Sequence, residues 1–227
     1  MQKSADKVNA GQAINDFVQK NRKIVFTCIG VVIILFVVSL ATISLIDYLQ
    51  KNAIAKVDNF DSRYKSLKIN INEESFSGDV ENLLSDIEAF AKKTIPGFAK
   101  GKAWSIIGQI HSDRKNWPQA EAAWLSAASV SSKNYLGPIA FFNAAAAAEE
   151  QGKKAEAIGL YSKSAAHSMT FPSAPHAQFS IGRLNEELND KAAAIEAYRE
   201  VLAKWPKIPV WANLAQSRII ALETIGN

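Results

Sequence analysis

The sequence contains one cysteine, Cys28, among its 227 residues. No disulfide can form within the chain, so the part that follows Cys28 must be held together by its own apolar core. Cys28 lies inside a long apolar run, where we expect it to act as a small apolar residue. A lipoprotein attachment site is not expected there, because Val25-Phe26-Thr27 is not the small-residue context that such a site needs.

Patterns typical of catalysis and metal binding are missing from the sequence. The three histidines, His111, His167 and His176, are scattered, and none falls in a metal-binding spacing such as H-E-x-x-H. The chain has no phosphate-binding loop, no G-x-S-x-G motif and no Cys–His pair. The sequence therefore predicts no enzyme, no cofactor, no metal site and no small-molecule substrate.

Charge and proline are missing from 24–46, the run IVFTCIGVVIILFVVSLATISLI. A helix of this length spans the roughly 30 Å hydrocarbon core of a bilayer. Three basic residues within 20–23 directly precede the run, and the residues just after it carry less positive charge. The positive-inside rule therefore predicts a cytoplasmic basic segment at 1–23, a transmembrane helix at 24–46 and an extracytoplasmic domain at 47–227.

A cleaved signal peptide is the alternative interpretation of this run, because Ala53-Ile54-Ala55 resembles an A-x-A cleavage site. The apolar part of a signal peptide spans roughly 7–15 residues, however, and this run is far longer. The candidate cleavage site also lies well beyond the end of the run. We therefore expect the run to remain as a membrane anchor.

Net charge is almost absent from the part of the chain that follows the run. The whole chain carries +4. Residues 1–23 contain five Lys or Arg and two Asp, which gives +3, so that +1 remains for 47–227. A nearly neutral domain argues against a nucleic-acid partner.

Alanine and aromatic residues recur at a fixed spacing in the distal part of the chain, which has almost no alternation of the β type. In a stack of helical hairpins, small residues let two helices approach closely and aromatic residues fill the space between hairpins. The distal part is therefore predicted to be all-α. The positions that recur at intervals of 37 residues are Ala120, Ala157 and Ala194, and Trp124, Tyr161 and Tyr198.

This pattern resembles the tetratricopeptide repeat, in which a small residue lies at the helix crossing and an aromatic residue follows four positions later. The usual period is about 34 residues, so we expect three extra residues at each junction between repeats. The resemblance implies a helical solenoid with a degenerate hairpin at 47–95, repeats at about 101–134, 138–171 and 175–208, and a capping helix at 210–225. Its packing positions are Trp104, Gly108, Ala120, Trp124, Ala157, Tyr161, Gly182, Ala194 and Tyr198. Within the degenerate hairpin, the polar stretch 69–78 predicts a loop.

The first helices of the hairpins are expected to line a concave face that binds a protein partner. Phe142 and Phe179 would place aromatic anchors in this face, or they would be buried by the loops at 133–138 and 170–175, and the sequence leaves both alternatives open. The residues expected on the face are Lys102, Ser105, Gln109, Asp113, Phe142, Glu149, His176, Phe179, Arg183 and Glu186.

The order of the parts narrows the resemblance further. An amphipathic segment with Ile14, Phe17 and Val18 on one face leads into the span, and tandem repeats follow. This layout resembles the bacterial single-span inner-membrane tetratricopeptide-repeat proteins that are ancillary subunits of the Sec translocon. The resemblance implies a scaffold with a cytoplasmic N-terminus and a periplasmic domain, whose partners are translocon subunits, periplasmic chaperones and emerging polypeptides. The alternative is a structural subunit of another envelope complex, for secretion, cell division or outer-membrane assembly.

Overall fold

The computed structural model describes residues 10–69, 73–132, 134–167 and 171–224. Every regular element in these ranges is an α-helix, so the predicted all-α class is confirmed. The helices are α1 (Ala10–Lys20), α2 (Arg22–Ile69), α3 (Glu73–Lys93), α4 (Phe98–Asp113), α5 (Trp117–Val130), α6 (Leu136–Glu150), α7 (Lys154–Ala165), α8 (Ala174–Glu187), α9 (Lys191–Lys204) and α10 (Pro209–Thr224).

The chain divides into two compact units, Met1–Leu49 and Gln50–Asn227. The first unit contains α1 and the apolar part of α2. Within the described part of the chain, α2 is the one helix that is long and apolar enough to cross a membrane, judged by length and composition, and the apolar stretch is not buried. The hydroxyls of Thr27 and Thr42 donate to the carbonyls of Lys23 and Val38 at 2.8 Å, which satisfies two polar groups inside this apolar helix.

The second unit is a stack of helices in chain order. From α3 to α10 each helix contacts the next, and the first helices of neighbouring hairpins also meet, α4 with α6 and α8 with α10. Sharp turns join α4 to α5, α6 to α7 and α8 to α9, because one residue in each of these three turns adopts a positive φ. These residues are Lys115 (φ 58°), Gly152 (φ 73°) and Asn189 (φ 61°), again at intervals of 37. The Asp190 carboxylate also caps α9 by accepting a hydrogen bond of 2.9 Å from the Ala193 amide.

Two details differ from the sequence-based expectations. The predicted loop at 69–78 is wrong at Ile69, which is the last residue of α2, and from Glu73 onward, because α3 begins there and a single helical glycine, Gly78, costs only about 1 kcal/mol. Residues 70–72 lie outside the described ranges. The repeats also begin one to three residues early, with α4, α6 and α8. Pro138 and Pro175 do not delay α6 and α8, because they fit inside the first turns of these helices, where no backbone N–H is needed. The last residue of the predicted capping helix, Ile225, lies outside the described ranges.

The core of the second unit follows the repeat pattern. Ala120, Ala157 and Ala194 are fully buried where the two helices of each hairpin meet. Gly108 and Gly182 face aromatic rings so closely that a Cβ atom would come within 2.7 and 2.5 Å of the ring atoms. Among the predicted packing positions, Trp104 is partly buried and the other eight are buried. Small residues therefore set the distance between helices, and aromatic side chains fill the remaining space.

Candidate protein-binding face

In each of the hairpins α4–α5, α6–α7 and α8–α9, an aromatic residue on the second helix hydrogen-bonds to the first helix. The acceptor lies twelve residues earlier in the chain each time, so the three bonds repeat at the period of 37. Burial and the neighbouring carboxylates raise the pKa of Tyr161 and of Tyr198, which keeps both hydroxyls protonated as donors. The bonds run from Trp124 Nε1 to Ser112 Oγ (3.2 Å), from Tyr161 Oη to Glu149 Oε2 (3.2 Å) and from Tyr198 Oη to Glu186 Oε1 (2.5 Å).

Two of these acceptors also bind an arginine from the next hairpin or from α10. Arg183 donates to both carboxylate oxygens of Glu149, at 2.7 and 2.8 Å, and its other nitrogen reaches Glu187 at 2.7 Å. Arg218 of α10 donates through Nε to Glu186 at 3.0 Å and forms an ion pair with it. The Glu149–Arg183 and Glu186–Arg218 pairs, the Glu–Arg ladder, join α6 to α8 and α8 to α10. Glu149, Arg183 and Glu186 were all expected to contact a partner. Instead, Glu149 and Arg183 bind each other, and Glu186 binds Arg218 of α10.

The first hairpin is linked to α2 by a similar set of charges. Lys102 donates to Asp58 at 2.7 Å, and Asp113 accepts from Tyr64 at 2.7 Å and from Lys68 at 2.6 Å. Burial alone would lower the pKa of Lys102, but its aspartate partners raise it above the ordinary value. Burial likewise opposes ionisation of Asp113, yet its hydrogen bonds hold its pKa below the ordinary value. These contacts fix the side of α4 that faces α2.

An aromatic row crosses the first helices of the later hairpins. Phe142 of α6 lies 4.9 Å from His176 of α8, and His176 stacks on Trp211 of α10 at 4.5 Å between ring centroids. Phe179 lies 5.5 Å from Trp211 and 5.0 Å from Tyr198. Burial, with a smaller contribution from Arg183, lowers the pKa of His176, so the stacked imidazole is favoured in its neutral form.

Phe142 and Phe179 are both partly buried, and Phe171, which packs on Phe142, belongs to the segment 170–175 named in the burial alternative. Phe142 packs on Tyr161 at 5.2 Å and on the buried Phe171 at 5.9 Å, so most of its contacts come from the protein itself. The sequence analysis does not place Trp211 in this row, because it predicts the last helix only as a cap for the end of the repeats. Trp211 lies 35 residues after His176, and His176 lies 34 residues after Phe142. This nearly constant spacing is visible in the sequence and could have placed Trp211 in the row.

An open groove of about 500 Å³ lies beside the first hairpin, between α2, α4 and the start of α6. We name it the repeat-face groove. Lys102, Ser105 and Gln109, all expected on the binding face, line it together with the buried Ile106. Tyr135 also lines it and is 55% exposed. Sequence reasoning missed Tyr135, because it lies between two helices, outside the periodic positions, and has no equivalent in the other repeats.

The charges along the repeat-face groove are already paired within the protein. Asp61 binds Lys65 at 2.9 Å and Lys102 at 3.5 Å, and Asp113 binds Lys68 at 2.6 Å. The apolar surface of the groove therefore lies within a rim of compensated charge, which suits apolar or aromatic side chains of a partner better than an isolated ion. In the part of the chain that the structure describes, no three His, Cys, Asp or Glu residues come together as a metal site.

Comparison with known proteins identifies the repeats. Residues 107–168 and 164–209 match the tetratricopeptide repeat family model. The chain is also similar to a TPR repeat-containing protein of Treponema pallidum (strain Nichols), with 38% identity over 130 residues. That alignment covers 57% of this chain and 54% of the relative, so the chain spans about half the length of the relative it matches. The two matches and the all-helical stack confirm the predicted tetratricopeptide-repeat fold and support a tetratricopeptide-repeat family.

Repeats of this kind are protein-interaction modules, and they are typically not enzymes. The coarser part of the predicted function, a scaffold that binds other proteins, is therefore supported by the repeat match at 107–209.

Proposed function

We propose that this tetratricopeptide-repeat protein is a membrane-anchored scaffold that binds a polypeptide segment in the repeat-face groove. The observation that carries the proposal is an open groove of about 500 Å³ with an apolar surface and a compensated rim. A bound segment would bury its apolar side chains against Ile106 and Tyr135 without having to break an ion pair. Exposed aromatic side chains such as Tyr135 are frequent anchors in protein interfaces.

The membrane anchor is the second part of the proposal. The uncharged run at 24–46 lies within a continuous helix, and basic residues precede it directly. Insertion with 1–23 in the cytoplasm would place the repeats on the far side of the membrane. The anchor would then hold the groove near a membrane complex and raise its effective concentration for whatever emerges there, so that weak binding by the groove suffices.

The narrower proposal is an ancillary subunit of the Sec translocon that assists protein export and hands emerging polypeptides to periplasmic chaperones. Its support is the order of an amphipathic basic segment, one apolar helix and tandem repeats. A polypeptide that leaves a translocon is extended and exposes apolar side chains, which is the chemistry that the repeat-face groove offers. A membrane-held groove would shelter such a segment until a chaperone binds it.

Site-specific crosslinking in native membranes tests this function. A photoreactive amino acid replaces Gln109, which is exposed and lines the groove, or Ala122, which is exposed on α5 outside it. We expect translocon subunits, chaperones or exported polypeptides to be captured from position 109 and not from position 122. Equal capture from both positions, or none from position 109, would contradict binding of a partner in the repeat-face groove. Capture of subunits of another envelope complex would support the role as a scaffold and contradict the role in the translocon.

A further inference from the structure

A second groove, of about 670 Å³, lies between α2 and α3 and shares no lining residue with the repeat-face groove. We name it the hairpin groove. Phe60 and Phe90 line it, with their ring centroids 5.5 Å apart in an edge-to-face arrangement. Lys56, Arg63 and Lys93 line it as well, and Asp86 is the one carboxylate among its lining residues. The groove thus combines two packed aromatic rings with three cations.

The positive charge of the hairpin groove is largely uncompensated. Arg63 and Asp86 form an ion pair at 3.5 Å with both side chains about half exposed, which is a weak pair in water. Lys56 lies over the two phenylalanine rings, 6.0 and 5.5 Å from their centroids, and not beside a carboxylate. Within the described ranges, no carboxylate lies within ion-pair distance of Lys56 or Lys93.

The repeat-face groove provides a contrast within the same unit. Its three lysines, Lys65, Lys68 and Lys102, each form an ion pair with an aspartate at 2.6–2.9 Å. The lysines of the hairpin groove have no such partner, so an anionic ligand would bind there without displacing a protein carboxylate. Three cations beside one carboxylate leave a formal charge of +2 for that ligand.

The hairpin groove is connected to the proposed membrane span by a short stretch of chain. Gln50 follows Ile46, the last residue of the apolar run, by four residues, which reach at most about 14 Å even when fully extended. The Gln50 side chain donates to the carbonyl of Pro96 at 3.0 Å. Lys93 precedes Pro96 by three residues, at the end of α3. The end of α3 is thus held beside Gln50, the first residue of the second unit.

We propose that the hairpin groove binds the phosphate headgroup of an anionic phospholipid, with Lys56 and Lys93 as its main ligands. The proposal rests on the membrane anchor of the proposed function. Unpaired cationic side chains that follow a membrane helix closely in the chain attract anionic lipid. The partly exposed ring of Phe90 would support the glycerol and upper acyl part of the lipid, while Lys56 reaches the phosphate. Such contacts would fix the hairpin of α2 and α3 at the membrane surface and leave the repeat-face groove free for a polypeptide.

The test uses the full chain in lipid nanodiscs that contain equal amounts of phosphatidylglycerol and phosphatidylcholine. Native mass spectrometry counts the lipids that remain bound after release. The variant Lys56→Gln/Lys93→Gln is compared with Lys191→Gln/Lys207→Gln, which removes the same charge from exposed positions outside the groove. We expect the wild type and the control to retain phosphatidylglycerol preferentially, and the groove variant to retain about tenfold less of it. Equal retention by the two double variants, or no preference between the lipids, would overturn the proposal.

Two accompanying measurements separate the groove from the anchor and from misfolding. Flotation with pure phosphatidylcholine vesicles tests the anchor alone, and we expect the wild type and both double variants to float equally. If the chain does not float, the proposed membrane anchor is contradicted. If it floats but does not select phosphatidylglycerol, only lipid binding by the hairpin groove is contradicted. Circular dichroism checks the fold, and Lys93→Gln alone replaces the double variant if helical content falls. Its expected result is a smaller loss in the same direction.

Discussion

The backbone of Gly182 in α8 lies directly against the ring of Tyr198 in α9, where a Cβ atom would come within 2.5 Å of the ring. Gly108 and Trp124 form the same contact in the first hairpin, with a distance of 2.7 Å. A glycine opposite an aromatic ring thus brings the two helices of a hairpin together. The hydroxyl of Tyr198 then reaches Glu186 across the same interface.

Replacing Gly182 with Ala is expected to destabilise the repeats by about 1–3 kcal/mol, because the added methyl group overpacks the Tyr198 ring. The matched control is Gly159→Ala in α7, where a Cβ atom meets nothing within 4 Å. The control should stabilise its helix by roughly 0.5–1 kcal/mol. The midpoint of urea unfolding of the full chain in detergent measures both changes. Equal shifts for the two variants would mean that Gly182 does not set the helix spacing.

The repeat architecture could be predicted from the sequence because each hairpin uses the same residue types at the same positions. Ala120 follows that rule in all three hairpins, and Gly108 recurs as Gly182 in the third. The Glu–Arg ladder could not be predicted, although Arg183 and Arg218 are separated by the same 35 residues as His176 and Trp211. Sequence spacing shows which face of a helix a charge occupies, but not which opposite charge on the next helix it reaches. Tyr135 was missed for a related reason, since it lies outside the period.

The Glu186–Arg218 pair makes a pH-dependent contribution to stability. Hydrogen bonding from Arg218 lowers the pKa of Glu186 below its ordinary value of 4.5, although partial burial opposes this. A carboxylate whose pKa is lowered by folding stabilises the folded state above its unfolded pKa, and this contribution is lost as the pH falls through the folded value.

Glu186→Gln is therefore expected to destabilise the protein by about 1 kcal/mol at pH 7, since Arg218 is half exposed and the pair is partly screened. The difference from wild type should shrink as the pH falls from 5 towards 3. Glu200→Gln, which disrupts an exposed pair with Lys204 within α9, is the control. Thermal unfolding at several pH values measures the effect. A difference that stays constant down to pH 3 would exclude a charged Glu186 as its source.

Variants of Phe142 and Tyr135 distinguish a side chain that packs within the protein from one that is available to a partner. Phe142→Ser is expected to lower the free energy of unfolding by about 2–4 kcal/mol, because its ring contacts Tyr161, Phe171 and His176. Tyr135→Ser should change stability by less than about 0.5 kcal/mol, because Tyr135 is 55% exposed. Denaturant unfolding of the two variants makes the comparison. A stable Phe142→Ser variant would show that Phe142 is available to a partner.

The membrane topology is predicted to be cytoplasmic for 1–23 and extracytoplasmic for the repeats, because the basic residues precede the apolar run. A reporter enzyme that is active only outside the cytoplasm should be active when fused after Asn227. Replacing Lys20, Arg22 and Lys23 with Gln should reduce that activity by weakening the charge asymmetry. Activity of a cytoplasm-only reporter at the same position would reverse the assignment.

The dissociation constant of the repeat-face groove for an unfolded polypeptide tests the central claim most directly. The full chain in nanodiscs is titrated with fluorescent, reduced and carboxymethylated lactalbumin, which stays unfolded. Tyr135→Ser should raise the dissociation constant by roughly tenfold, the loss typical of one aromatic anchor. Leu188→Ser, which removes an apolar side chain that is 47% exposed outside the groove, should leave it unchanged. An unchanged constant for Tyr135→Ser, or an equal increase for both variants, would contradict binding of polypeptide in the repeat-face groove.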